Sequence, residues 1–223
     1  MSAPGTSVIS PSLADAADVF LAGAAAVRSA VGSEAAGAAW DEPSVLEEQT
    51  VGGLAGHLAR TGGWIVPEYL DAGPPDGPIE FDDAGDYYAR LMEQVDDDGH
   101  RAIRERGAAL AARGQAALVG ELDARLAGVP ARLAALDDQA TVAAYGGMAM
   151  RVRDYLVTRI VEQVVHLDDL ARSLGVPAWP VPPTAVDLTL AVGIDVARRR
   201  RGDAAVLRAL YRAGEADGVL PAL

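Results

Sequence analysis

Nowhere along the 223 residues do polar and apolar side chains alternate long enough to make a half-buried strand. Apolar residues recur instead at spacings of three and four, the period of a helix with one buried face. Leu13, Ala16, Ala17, Phe20, Leu21 and Ala24 set the pattern and predict a first helix over residues 12–31. The segment 32–49 reads as a loop or short turn. Thr50, whose hydroxyl can accept from a first-turn N–H, predicts the start of a second helix, TVGGLAGHLARTGGWIVPEYL. Gly62, Gly63 and Pro67 predict a kink in its second half. Beyond a Pro-, Gly- and Asp-rich loop at 71–83, a long helical run is predicted from Ala84 to Leu136, broken near Asp97–Gly99 and at Val129–Pro130. After another loop, DDQATVAAYGGMAM, a fourth helix runs from Val152 to Leu174, stopped by Gly175 with Pro177 beyond. Two shorter helices from Pro183 onward divide near Gly202. The expected fold is all-α: a four-helix bundle over residues 10–175, with a short helical C-terminal extension over 176–223.

Half the residues are apolar, so a bundle of this size can build its core without staples. There is no cysteine, which removes disulfides, thiolate metal ligands and a cysteine nucleophile of the chain's own. A net charge of −13 argues against nucleic acid or an anionic membrane as partner. The 19 basic residues are all arginine, which together with abundant Ala and Gly is the mark of a GC-rich coding genome. The opening stretch MSAPGTSVISPSLAD has no basic residue ahead of an apolar run, so no secretory leader is expected. The Ala-rich stretch at 16–31 carries Asp18 and Arg28 and is too polar to span a bilayer. These features lead to the expectation of a cytoplasmic protein.

The informative stretch is VEQVVHLDDL at 161–170, where Glu162, His166 and Asp169 interrupt an apolar run. At about 100° per residue these three side chains fall within roughly 60° of one another. An ionisable group in a buried setting needs a partner, a proton or a metal. A Glu–His pair four residues apart is by itself a common solvent-facing pair. His57, alone on the apolar second helix, reads equally as a core histidine. Its same-face neighbours Gly53, Thr61 and Trp64 include small residues that leave room for something to approach. Two bundle helices each presenting ligand-type side chains inside apolar runs is how bundle cores build metal sites. His100, beside Arg101 after an acidic run, reads as exposed.

The pair TVGGLAGHLA and YLVTRIVEQVVHLDDLARSLG resembles the N-terminal, metal-binding domain of the mycothiol-dependent maleylpyruvate isomerases, in the DinB-like superfamily. Thr50, Val51, Leu54, His57 and Leu58 match one pattern, and Glu162, His166, Asp169 and Leu170 the other. The resemblance covers roughly residues 10–175. It implies a DinB-like bundle with His57, Glu162 and His166 as ligands of a divalent metal, zinc by the family's habit. Asp169 then stands one turn beyond His166 as a supporting hydrogen-bond acceptor.

Two histidines and a carboxylate leave a zinc ion open positions, the arrangement of a catalytic rather than a structural site. Such a site lowers the pKa of a bound thiol or water. With no cysteine in the chain, the resemblance implies an external low-molecular-weight thiol, mycothiol first, attacking a small-molecule electrophile. The expected activity is S-transfer or thiol-dependent isomerisation; a non-catalytic binding bundle and a metal-dependent hydrolase are the rivals. Full isomerases of the family carry a second α/β domain, for which residues 176–223 are too short. Maleylpyruvate isomerisation itself is therefore less expected than transfer.

Among weaker signals, Arg153 and Arg159 flank the candidate helix and are candidates for holding a substrate or thiol carboxylate, or equally for surface ion pairs. Trp64, Tyr69, Tyr88 and Tyr145 are candidate pocket walls, though aromatic residues at helical spacing are more often core. ARRRRGD at 197–203 is better explained by the C-terminal end of a helix dipole than by nucleic acid.

Overall fold

The computed structural model describes residues 10–91 and 96–212, and side chains throughout except those of Asp97 and Tyr145. Ser12 caps α1 (Leu13–Val31) by accepting from Asp15 N, and a short α2 (Glu34–Ala38) follows in the segment expected as loop or turn. Thr50 caps α3 (Val51–Ala59) through Gly53 N, as its chemistry predicts. The kink expected from Gly62, Gly63 and Pro67 is a π-helical turn, Arg60–Trp64, which leads into α4 (Ile65–Asp71).

The long third helix is a broken run: α5 (Ala84–Leu91), α6 (Asp97–Ala111), α7 (Gln115–Leu126) and α8 (Val129–Ala134). The breaks expected near 97 and 129 are present. A further one falls before α7, where Gly114 takes φ +84°, a conformation that side-chain-bearing residues rarely adopt. The loop expected at 137–150 contains an antiparallel hairpin, β1 (Thr141–Ala143) with β2 (Ala149–Arg151), turning through Gly146 and Gly147 at positive φ. Three residues per strand are too few for alternation to show in the sequence. Then α9 (Val152–Leu174) spans the bundle and ends on Gly175 in the left-handed region. The last helices are α10 (Pro183–Arg201) and α11 (Asp203–Tyr211).

The architecture is an all-α bundle in which α1 packs along α9, and α3 along α6 and α9. One apolar cluster joins α1, α5, α9 and α10 through Phe20, Tyr87, Tyr155, Ile160 and Val192. A second joins α1, α3, α7 and α9 through Val27, Leu54, Leu58, Leu122 and Leu170. Within the helical extension expected over residues 176–223, α10 contributes Ala185, Val192 and Val196 to the first cluster. Arg199 fastens α10 to the start of α5 through Asp83, at 3.0 Å, and Asp86, at 3.6 Å. Among the described residues no helix is long and apolar enough to cross a membrane.

The glycines around His57 have a specific use. A Cβ on Gly56 would lie 2.3 Å from the Gly107 carbonyl oxygen, and one on Gly107 would lie 2.7 Å from Gly53 O and 3.2 Å from His57 Cβ. The room beside His57 is therefore taken by the backbone of α6, and glycine on both helices lets them cross at this distance. Gly107→Ala should force them apart, at a cost of about 1–3 kcal/mol typical of overpacking. In a chain of this length each kcal/mol shifts the melting point by about 2–4 °C. A thermal melt unchanged by Gly107→Ala would show that the helices can separate freely here.

Candidate metal centre

Three polar side chains meet where α3 crosses α9. His57 comes from the last full turn of α3, and Glu162 and His166 from successive turns of α9. His57 Nε2 lies 3.2 Å from His166 Nε2, and Glu162 Oε2 lies 3.6 Å from the first and 3.4 Å from the second. The four-residue spacing stacks the α9 pair on one face, and the α3 crossing brings the third group opposite them. Each side chain keeps a small exposed edge, so the triangle opens outward.

The dimensions suit a metal. With zinc–ligand bonds of about 2.0–2.2 Å, a tetrahedral site puts neighbouring donor atoms about 3.3–3.6 Å apart. The three observed separations fall in or next to that range. Two imidazole nitrogens and a carboxylate oxygen are also a donor set suited to zinc and similar divalent ions. Among the described residues these three form the one group of histidine and acidic side chains that could hold a metal.

Surrounding groups hold the triangle in place. Asp169 Oδ2 lies 3.0 Å from His166 Nδ1. A carboxylate can only accept, so Nδ1 donates, and a neutral His166 then turns the lone pair of Nε2 toward the other two groups. Tyr88, buried on α5, places its hydroxyl 2.9 Å from Glu162 Oε1 and 2.9 Å from the Thr158 carbonyl. Tyr88 thus engages one carboxylate oxygen and leaves the other to face the histidines. Tyr88 reads from the sequence only as a core or wall aromatic. Its role depends on a contact across 74 positions that no local spacing reveals.

The charges follow from these contacts. Burial works against the charged form of Glu162, but hydrogen bonds with His166 and His57 and the charge of Arg159 outweigh it and hold the carboxyl well below its ordinary range. Burial likewise works against charge on His166, but Asp169 and Glu162 outweigh it and raise the imidazole from 6.5 to about 9. Burial, with Glu162 adding to it, pushes the Tyr88 hydroxyl well above its usual value, so it stays a donor.

Beside the triangle lies a cleft of about 320 Å³, with His57 and Glu162 in its wall. Arg159 lines it, buried to 6 % exposure, so the surface ion-pair reading of this arginine does not hold. Arg153 is elsewhere, its Nε 3.8 Å from Asp154 Oδ2. Trp64, a candidate on helical spacing from His57, is packed in the second core under the Arg125 guanidinium, 4.4 Å from the ring. The reason is the π-helical turn, which adds a residue to the helix and advances the register by one. Ile65 takes the cleft-facing place that an uninterrupted helix assigns to residue 64, and Thr61 and Tyr69 complete that face. The Tyr145 side chain lies outside the described residues. His100 is exposed on α6, as its neighbours suggest.

Comparison with protein families finds a match to the model of the mycothiol maleylpyruvate isomerase N-terminal domain over residues 20–171. Comparisons with curated proteins and with solved structures return no match.

Two measurements test the centre. Purified protein should hold about one divalent metal per chain, the count for a single three-ligand site. His57→Ala and His166→Ala should each lose most of it and His100→Ala none, while Tyr88→Phe should weaken binding about tenfold, as losing a support of a ligand does. Equal metal content in all four would remove the assignment. Second, metal uptake near pH 7 should release about one proton, because His166 is charged in the metal-free protein and must give up its Nε2 proton to bind. The charged ring stabilises the metal-free fold fully below its ordinary value of 6.5, and that contribution is lost as pH rises through about 9. Calorimetry in buffers of different ionisation heat should show the released proton disappear above that pH. A proton count independent of pH would contradict the role of His166.

Proposed function

The chain belongs to the mycothiol maleylpyruvate isomerase N-terminal domain family, and from that premise we propose that it is a metal-dependent enzyme of small-thiol chemistry. It joins the sulfur of a low-molecular-weight thiol, mycothiol first, to a small electrophile, by S-transfer or by addition and elimination. The observation that carries this is the His57–Glu162–His166 triangle, 3.2–3.6 Å on its edges and opening on a cleft, in a chain with no cysteine of its own.

His57, Glu162 and His166 would hold the ion, and zinc bound there would supply Lewis acidity that lowers the pKa of a thiol. The chain's own groups do the rest. Asp169 fixes the ring of His166, and Tyr88 keeps Glu162 presenting one oxygen. A carboxylate held this far below its ordinary range is a poor proton acceptor at neutral pH, so Glu162 serves as ligand rather than base. The thiol proton leaves to solvent through the open side. Ile65, Tyr69 and Tyr155 form a wall against which an apolar electrophile lies. Small thiols are kept reduced in the cytoplasm, where this chemistry belongs.

The test follows loss of free thiol across a panel of electrophiles, with mycothiol first and bacillithiol and glutathione after it. Thiol should be consumed faster with loaded protein than with metal-free protein. The rate should persist below about pH 8.5, where an unassisted thiol is mostly protonated. Product formed without thiol would make the protein a metal-dependent hydrolase instead. Metal bound without turnover of any kind would make it a binding bundle.

A further inference from the structure

Arg159 is a buried cation with no carboxylate in ion-pair contact; the charge of Glu162 acts on it, but that carboxylate is shared with two histidines. Its Nε donates to Thr158 Oγ1 at 3.0 Å, one terminal nitrogen donates to the Thr61 carbonyl at 3.4 Å, and the guanidinium carbon lies 5.1 Å from the centre of the Tyr155 ring. A guanidinium has five N–H donors, so three remain. The terminal nitrogen without a partner, Nη2, is not sealed off, and the side chain lines the cleft, so open donor capacity borders that space. Among the described residues no carboxylate pairs with it. Its nearest acidic neighbour on α9, Glu162, is held by Tyr88 through one oxygen and faces both histidines with the other. A buried charge left without a counter-charge is costly, and chains rarely keep one without a use for it.

The cleft as a whole runs against the charge of the chain. In a protein of net charge −13 it is lined by Arg60, Arg106 and Arg159, with Glu162 the one carboxylate in its wall. Arg60 reaches Glu68 at 3.7 Å, and Arg106 sits exposed at the rim. Against that net charge the cleft is a local reversal of sign. The remaining walls are apolar or aromatic: Ile65, Leu91, Ile103, Tyr69 and Tyr155, the two tyrosine rings 5.4 Å apart. At about 320 Å³ the space lies at the low end for ligand pockets.

We propose that Arg159 anchors a carboxylate subsite, and that the ligand of this cleft is a small monocarboxylic acid with a flat apolar body. The carboxylate takes the open guanidinium fork, a geometry that suits a planar two-oxygen anion. The body lies along Tyr155 and Tyr69, which brings its far end toward the metal triangle. That the acid is the electrophile rather than a bystander rests on the thiol chemistry above; the subsite itself does not.

The probe is benzoate, with benzamide as its uncharged isostere, on metal-free protein so that no ion competes for the carboxylate. Benzoate should bind at least about tenfold more tightly than benzamide, the difference a charge-assisted pair makes. Arg159→Gln should abolish that preference, while Arg153→Gln, outside the cleft, should leave it. In a methyl spectrum benzoate should move the Ile65 and Ile103 signals and not that of Ile194 on α10, a readout that needs no variant if Arg159→Gln fails to fold. Equal binding of the two probes, a preference that survives Arg159→Gln, or shifts absent from Ile65 and Ile103 would each overturn the subsite. Repeated on zinc-loaded protein, saturating glutathione, a small thiol that carries carboxylates, should leave benzoate in place; displacement would assign the carboxylate subsite to the thiol and overturn its assignment to the electrophile. None of these readings involves turnover, so loss of the thiol activity and loss of the subsite can be told apart.

Discussion

A carboxylate in the middle of a bundle helix must be met on both oxygens, and much of the structure around α9 follows from meeting Glu162. Tyr88 takes one oxygen from α5, while His57 from α3 and His166 from the next turn of α9 face the other. Three helices are thereby tied to one side chain. Each tie has its own support: Asp169 behind His166, the Thr158 carbonyl beside the Tyr88 hydroxyl, and the close crossing of α6 behind His57. A network satisfied at every member rigidifies what it joins, whereas one missing a partner would be worse than an apolar core. The same groups that make the carboxylate tolerable also fix its direction, and a metal site needs both.

The π-helical turn is the second device, and it works through backbone rather than side chain. Widening the helix at Arg60–Trp64 leaves carbonyls off the regular ladder, and α9 supplies donors for them. Gln163, fully buried, donates to Gly62 O at 2.6 Å and to Phe20 O at 3.2 Å, and Arg159 reaches Thr61 O. Removing the bulge would return Trp64 to the cleft and take one acceptor from each of these side chains. The turn therefore links the shape of the cleft wall to the orientation of Arg159. Such turns recur at functional sites because the extra residue redirects side chains without ending the helix.

Much of this was legible in the sequence, and the boundary of legibility has a physical cause. Thr50, Gly175 and the span of α9 could be read because caps and periodicity are local. Glu162 and His166 stood out as a polar stripe inside an apolar run, but that pattern alone left a solvent-facing pair open and His57 a core histidine; the resemblance to the family is what joined the three as candidate ligands. Gly62, Gly63 and Pro67 announced a distortion, but not that it would add a residue, and so Trp64 was assigned the place that Ile65 holds. The glycines beside His57 announced space without saying that a helix backbone fills it. Gly114 carried the signal of a helix stop inside a run that otherwise looks continuous. Tyr88 and the burial of Arg159 were not legible, since both depend on which helices pack together rather than on spacing within one.

Two apolar clusters lie on either side of the polar layer, and neither includes a candidate ligand. The fold therefore does not depend on metal in the way a small zinc-bound domain does. Within the layer the charged His166 stands between Asp169 and Glu162, so a proton holds the geometry that the metal would take over. Exchange of one cation for another needs little movement, because the three donor atoms already sit near tetrahedral separations. The cleft wall is made largely of groups other than the three ligands, Arg159 and the tyrosine rings among them, so a ligand's anion can be recognised by the protein's own side chains.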